Sequence, residues 1–328
     1  MIISQTPLRI SFFGGGTDFE DYYKEHCGIA ISTCINKFIY FIVCSRQDKK
    51  IVLNYSKREI VDDVKNIEHD IFREVLNLCN IDKSIEITCI SDIHSEGSGL
   101  GSSSAFCVGL FNAIYAYQGV AILPNELAEL AYKIEVDILK APIGKQDQFA
   151  VAYGGLKKYH FNMDGSVFVD DVSSANDVYQ NLDRHIVLYN TGIHRKSSEV
   201  LHAQKASINA NLEKLHNLKD IAQLGEKHLA QLKYKEIGRL LDTSWEQKKT
   251  LSDRIENDEI NYMYRKGKQA GAYGGKLLGA GGGGFLLFFC APEKQEDLRN
   301  ALSCYQELPV KMERCGSRVV FNNESHAH

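Results

Sequence analysis

Near the start of the chain, Leu8, Ile10 and Phe12 alternate with Arg9, Ser11 and Phe13. A period of two predicts a strand and places Arg9 on the face opposite Leu8 and Ile10. Gly14-Gly15-Gly16 then breaks the pattern. The run from Ile29 to Cys44 is long and β-rich, and Lys50 to Tyr55 reads as its return strand across a turn near Arg46-Gln47-Asp48. Ile67, Ile71, Val75 and Leu78 share one helical face, with Asn66 as the N-cap. Ile85, Ile87 and Cys89 alternate again, so a further strand leads toward Gly97.

Beyond Gly101 the period becomes helical: Phe106, Leu110, Phe111, Ile114 and Tyr117 form one stripe. Leu127, Ala131, Ile134 and Ile138 mark another helix, stopped near Pro142, with Glu135 beside its buried stripe. The second half predicts a strand over Ile186 to Tyr189, helices from Ser197 to Lys248, and a further helix toward Ala270. A glycine cluster, Gly279 to Gly284, precedes a strand over Phe285 to Phe289. A helix over Lys294 to Leu302 and short strands at Pro309 to Lys311 and Arg318 to Phe321 complete the pattern. Two α+β domains are expected, residues 1–170 and 171–328, parted within the Asp-, Ser- and Asn-rich stretch between Phe161 and Asp183.

Composition narrows the function. The 44% of hydrophobic residues supply a sizeable core, and a net charge of −4 argues against a general nucleic-acid binder. An anionic ligand would need a local basic pocket. The nine cysteines form no CxxC pair and mostly sit in apolar runs, which reads as reduced core thiols rather than a disulfide or zinc framework. No basic segment precedes an apolar block at the N-terminus, and no apolar run approaches the ~18 residues of a membrane span. A cytoplasmic protein without a membrane partner is expected.

The sharpest chemical signal is Gly97-Ser98-Gly99-Leu100-Gly101-Ser102-Ser103-Ser104-Ala105, between a strand and a helix. Glycines let a backbone approach a phosphate and present consecutive N–H groups, and the helix aims its positive end at the same place. The serines add hydroxyls for hydrogen bonds or Mg²⁺. A Gly/Ser turn with a serine N-cap would use fewer serines. The stretch is not a Walker A loop, because no lysine follows the glycines. Gly279, Gly281 and Gly284 fit GxGxxG literally, but they run into a strand rather than a helix, which excludes a dinucleotide-binding oxidoreductase.

Three blocks therefore stand in order: Pro7 to Asp18, Gly97 to Ala105, and Lys276 to Phe285. Together they resemble the three signature motifs of the GHMP kinases, and the first block is most similar to the bacterial heptose 7-phosphate kinase branch, with L-fucokinases nearby. The resemblance implies a two-domain α+β fold: an N-terminal domain like ribosomal protein S5 domain 2 and a ferredoxin-like C-terminal domain, with the active site between them. It implies an ATP- and Mg²⁺-dependent phosphotransferase acting on a sugar or sugar phosphate. Gly97, Ser98, Gly99, Leu100, Gly101, Ser102, Ser103 and Ser104 would wrap the ATP phosphates. Ser103 and Glu135 would hold Mg²⁺, with Ser102 and Ser104 left open for the same role. Asp147, in Gly144-Lys145-Gln146-Asp147-Gln148, would accept or orient the acceptor hydroxyl. Arg9 would offset charge on the transferring phosphoryl group and keep Asp147 ionised.

Thr17 and Asp18 resemble the sugar-hydroxyl pair of the sugar-kinase branch. Gly281 and Gly282 would shape the substrate pocket by packing against the first block. The segment before the loop, Ile93-His94-Ser95-Glu96, lacks the proline usual in the second motif and puts Glu96 near a phosphate site. Ile193-His194-Arg195-Lys196-Ser197 begins a helix with three basic residues, so Arg195 and Lys196 could hold a second phosphate. The expected acceptor is then the anomeric O1 of D-glycero-D-manno-heptose 7-phosphate. The competing expectations are a fucokinase- or galactokinase-like enzyme for an unphosphorylated sugar, and a catalytically silent sugar sensor of the same fold.

Overall fold

The computed structural model describes residues 1–93, 97–173, 175–193, 197–252 and 255–323. The N-terminal elements are β1 (Ile2–Phe13), α1 (Glu20–His26), β2 (Gly28–Ser45), β3 (Ile51–Asn54), β4 (Arg58–Val61), α2 (Asp70–Leu78) and β5 (Ile85–Ser91). They continue with α3 (Ser102–Tyr117), α4 (Pro124–Tyr132), α5 (Gln146–Tyr153), β6 (Leu156–Phe161) and β7 (Val167–Asp171). The C-terminal elements are α6 (Asn176–Asp183), β8 (Ile186–Asn190), α7 (Ser197–Ala206), α8 (Leu212–Ala230), α9 (Tyr234–Lys249), α10 (Asp258–Gln269) and β9 (Gly274–Leu277). After them come β10 (Phe285–Phe289), α11 (Gln295–Ala301), β11 (Glu307–Leu308), β12 (Met312–Glu313) and β13 (Arg318–Asn322).

The larger sheet runs β13-β1-β2-β5-β3-β4, with β12 and β6 also on β2 and β7 on β6. The length of β2 makes this possible. Its first part, Gly28 to Thr33, pairs with β6, while Ile39 to Ser45 pairs with β5. The opposite edge of β2 follows β1 over most of its length. α3 is apolar almost all round and, apart from the partly buried Phe106, buried from Ser104 to Ile114; such a helix belongs inside a core, and it packs on β1 and β2. The smaller sheet, β11-β8-β10-β9, is antiparallel. Its core gathers Trp245, Leu218, Leu286 and Phe288, all buried.

Three expectations are revised. Lys50 to Tyr55 does not return along β2: β3 pairs in parallel with β5, which lies between them. The turn is tied to β5 instead, through Arg46 N–H to the Ser84 carbonyl and the Arg46 guanidinium to Glu86 (2.5 Å). Ile85 and Ile87 on β5 are wholly buried, as suits an interior strand flanked by β2 and β3. Asn66 is not the cap of α2; it ends a short 3₁₀ turn capped by Asp63, and α2 starts after His69. Residues 312–322, assigned from sequence to the second domain, pair in the larger sheet, β12 on β2 and β13 on β1. Among the described residues no helix is long and apolar enough to cross a membrane.

Candidate active site

The site is built where the ends of β1, α3 and α5 meet. The phosphate loop turns through three left-handed glycines, Gly97, Gly99 and Gly101 (φ +67°, +74° and +73°). Leu100 is fully buried and pins the loop to the core, and its carbonyl accepts the Arg9 N–H at 2.9 Å. Ser98 and Ser102 bond to each other at 2.9 Å. The first turn of α3 then lays its N–H groups beside the loop, without intrahelical partners.

The alternation of β1 sorts its side chains. Leu8, Ile10 and Phe12 enter the core, while Arg9 and Ser11 turn toward α5. Arg9 grips Asp147 with two parallel bonds, Nε to Oδ1 (2.8 Å) and Nη2 to Oδ2 (2.7 Å), and gives Nη1 to the Gly99 carbonyl (2.6 Å). One guanidinium thus fixes the carboxylate against the phosphate loop, in the bidentate geometry at which Arg excels. Gln146 donates to Ser11 Oγ at 2.7 Å and holds the start of α5 on the strand. Arg9 is almost wholly buried, while Asp147 keeps 28% of its side chain open, so the carboxylate can meet a ligand.

Asp18 lies beside this pair. It accepts from the backbone N–H groups of Gly16 (2.9 Å) and Gln146 (3.2 Å). A Cβ at Gly144 would lie 2.1 Å from its Oδ2, so only glycine fits there. Burial first, and the nearby Asp147 charge second, raise the Asp18 pKa. Thr17 has a different place. It is fully buried, and its one hydroxyl proton is shared between the carbonyls of Gly14 and Ile29 (both 2.8 Å), while its oxygen accepts from Ile29 N–H. It braces the glycine turn and presents no free hydroxyl, which corrects its expected substrate contact.

Glu135 stands on a π-helical turn, Lys133–Ile138, that prolongs α4; such turns recur at functional sites because they re-aim one side chain. The residue is buried, and its carboxylate accepts from Ser103 (2.5 Å, Oε1), Ser104 (2.7 Å, Oε2) and Gln148 (2.7 Å, Oε2). Burial raises its pKa, opposed by the three donors. Ser103 is exposed while Ser104 is buried. Ser104 and Gln148 therefore saturate Oε2, leaving Oε1 and the open Ser103 hydroxyl side by side. That pair of oxygens suits a hard cation such as Mg²⁺, which takes one or two protein oxygens and fills its octahedron with phosphate and water. Among the described residues there is no cluster of three His, Cys, Asp or Glu side chains able to hold a metal alone.

The third glycine block packs on the phosphate loop rather than mainly on the first block. A Cβ at Gly279 would fall 2.4 Å from Gly99 Cα, and one at Gly284 would fall 2.6 Å from the Ser98 carbonyl. Contact with the first block comes through Lys276, whose amine donates to the Phe12 carbonyl at 3.0 Å. Gly281 backs onto Ile255, and the Gly282 N–H bonds to the Ile255 carbonyl, so both pack the block against the segment that carries Ile255. Arg195, Lys196 and Glu96 lie outside the described residues.

Two cations at the site were given no role by the sequence. Lys276 is buried, which with the charges of Lys248 and Arg9 drives its pKa well below the ordinary lysine range. Lys248, near the end of α9, donates to the Gly279 carbonyl. Burial and the Arg9 charge push its pKa down to about 8, against the pull of Asp18 and Asp147. Lys276 heads the third block and could have been singled out there, whereas nothing in the sequence marks Lys248 among the helical lysines. Gln148, within the segment carrying Asp147, was likewise unassigned.

Comparisons with known proteins give the family. The profile of the GHMP kinases N terminal domain matches residues 54–155, and that of the GHMP kinases C terminal domain matches residues 226–307. The chain is 32% identical over 317 residues to a D-glycero-alpha-D-manno-heptose 7-phosphate kinase of Campylobacter jejuni, covering 92% of this chain and 93% of that protein. It is 27% identical to a mevalonate kinase of Thermococcus sibiricus, covering 75% and 74%. A crystal structure of a D-glycero-D-manno-heptose 1-phosphate kinase from Bacteroides thetaiotaomicron superposes with a TM-score of 0.82 at 24% identity, covering 98% of this chain and 100% of that one. With the fold and the likeness along nearly its whole length in agreement, the chain belongs to the GHMP kinases, phosphotransferases that act on hydroxyl groups.

Proposed function

We propose that the protein transfers the γ-phosphoryl group of ATP to the anomeric O1 of D-glycero-D-manno-heptose 7-phosphate, giving the 1,7-bisphosphate. The observation that carries a phosphoryl transfer is the Arg9 fork, which binds Asp147 with two arms and the phosphate-loop carbonyl of Gly99 with the third. The 32% identity to a heptose 7-phosphate kinase supports this acceptor. In this reading Gly97 to Ser104 and the start of α3 hold the phosphates. Asp147 takes the proton of the attacking hydroxyl or aligns it, and Arg9 offsets charge on the group in transit. Asp18, held by two backbone N–H groups, accepts from sugar hydroxyls. Ser103 and Glu135 hold Mg²⁺, which neutralises phosphate charge when bound. Arg195 and Lys196 are assigned to the far phosphate on sequence grounds.

The test is ATP consumption with Mg²⁺ against heptose 7-phosphate, fucose, galactose and mevalonate. Turnover of heptose 7-phosphate, with the new phosphate on the anomeric oxygen, is the expected result. Turnover confined to an unphosphorylated sugar would overturn the assignment. Replacing Arg195 should raise KM for the phosphosugar and leave a neutral sugar little affected.

A further inference from the structure

Lys248 and Lys249 end α9 side by side, where cations are favoured by the helix dipole. They behave differently. Lys249 stays with its own neighbourhood, reaching Glu246 at 2.7 Å and lying over the Trp245 ring. Lys248 turns inward and gives one N–H to the Gly279 carbonyl. Gly279 rests directly on Gly99, whose carbonyl accepts from Arg9. The Lys248 ammonium thus stands across a single glycine contact from the Arg9–Asp147 pair.

The other two cations here are committed. Arg9 is spent on Asp147 and Gly99, and Lys276 is enclosed with its amine on the Phe12 carbonyl. Lys248 is only half-buried and bonds to a neutral carbonyl. An ammonium has three donors, so two are left for a ligand. It stands near the carboxylates of Asp18 and Asp147, which flank the place where the acceptor oxygen would meet phosphorus.

We propose that Lys248 is a catalytic residue supplied by the C-terminal domain, binding the equatorial oxygens of the γ-phosphoryl group as it passes from ATP to the acceptor. This rests on the reading of Gly97 to Ser104 as the ATP phosphate site. No bond is made or broken at Lys248: it places positive charge opposite Arg9, and the phosphoryl oxygens sit between them. Since ADP lacks the transferred group, Lys248 should matter to kcat and not to ADP binding.

The experiment compares Lys248→Met and Lys248→Arg with the unaltered protein, measuring kcat and KM with the accepted sugar and ADP affinity by calorimetry. Loss of one charge-stabilising donor at a reacting centre typically costs about 100-fold in kcat. Lys248→Met should show that loss with unchanged ADP affinity, and Lys248→Arg should recover most of the rate. Full activity in Lys248→Met would overturn the proposal. So would a rate loss matched by an equal loss of ADP affinity, since that would be a loop-packing effect. If the unaltered protein binds no ADP, the phosphate-site reading fails and takes the proposal with it.

Discussion

Replacing Gly279 by Ala tests whether the second domain sets the phosphate loop in position. Two penalties can be separated. The first is conformational: at φ +71° an L-residue in the left-handed region costs about 1–2 kcal/mol. The second is crowding. The new methyl would lie 2.4 Å from Gly99 Cα, while carbon atoms rest comfortably at about 3.5–4.0 Å. The two blocks must therefore separate by about 1 Å, and the Gly99 carbonyl moves away from Arg9. Misplacement on that scale can cost about 100-fold in rate. Gly119 supplies the control: its φ is +73°, and nothing lies within 4 Å of a Cβ built there. Gly119→Ala should lose about 1–2 kcal/mol of stability and keep full activity. Gly279→Ala should lose more stability, and its kcat/KM for ATP should fall about 100-fold. Thermal melts and steady-state kinetics on both variants decide the matter. Unchanged kinetics in a folded Gly279→Ala protein would show that the contact does not position the loop.

Three further outcomes follow from the site. Asp147→Asn should abolish turnover while ADP still binds; retained turnover would favour another base. Glu135→Gln should lose activity yet melt higher at pH 7.5. Burial raises the Glu135 pKa above its ordinary 4.5, so the folded protein holds that proton more tightly than the unfolded chain. Its contribution to stability is present below pH 4.5 and is lost as pH rises through the raised value. The advantage of the glutamine should therefore vanish in melts near pH 4, and its absence at pH 7.5 would contradict the buried charge. Thr17→Val strands backbone partners of a buried hydroxyl and should cost about 1–3 kcal/mol in denaturant unfolding. Sugar KM in the folded fraction should stay constant, and a raised KM without destabilisation would restore Thr17 as a substrate contact.

The three glycine blocks were legible because their chemistry is local: Gly97, Gly99 and Gly101 all adopt left-handed backbone. Alternation placed Arg9 on the face opposite Leu8, and the resemblance of the first block gave it a role there. Partners distant in sequence were not legible. β3 pairs with β5 and not with β2, a long-range choice that no single segment reveals. The π-helical turn under Glu135 left no signal, since Ile134 and Ile138 fit an ordinary helix equally well. Lys248 reads as a dipole-matching residue at the end of a helix until α9 is laid beside the third block.

The pairing of β13 with β1 has a consequence for synthesis. Ser317, just before β13, bonds through its hydroxyl to Thr6 on β1 (2.7 Å) and to Asn112 on α3 (2.9 Å). A nascent chain emerging from the ribosome therefore holds one edge of β1 open until residues 318–322 have been made. Exposed strand edges recruit other strands, so until then the edge of β1 at Ile2 to Gln5 is open to pairing with the wrong partner.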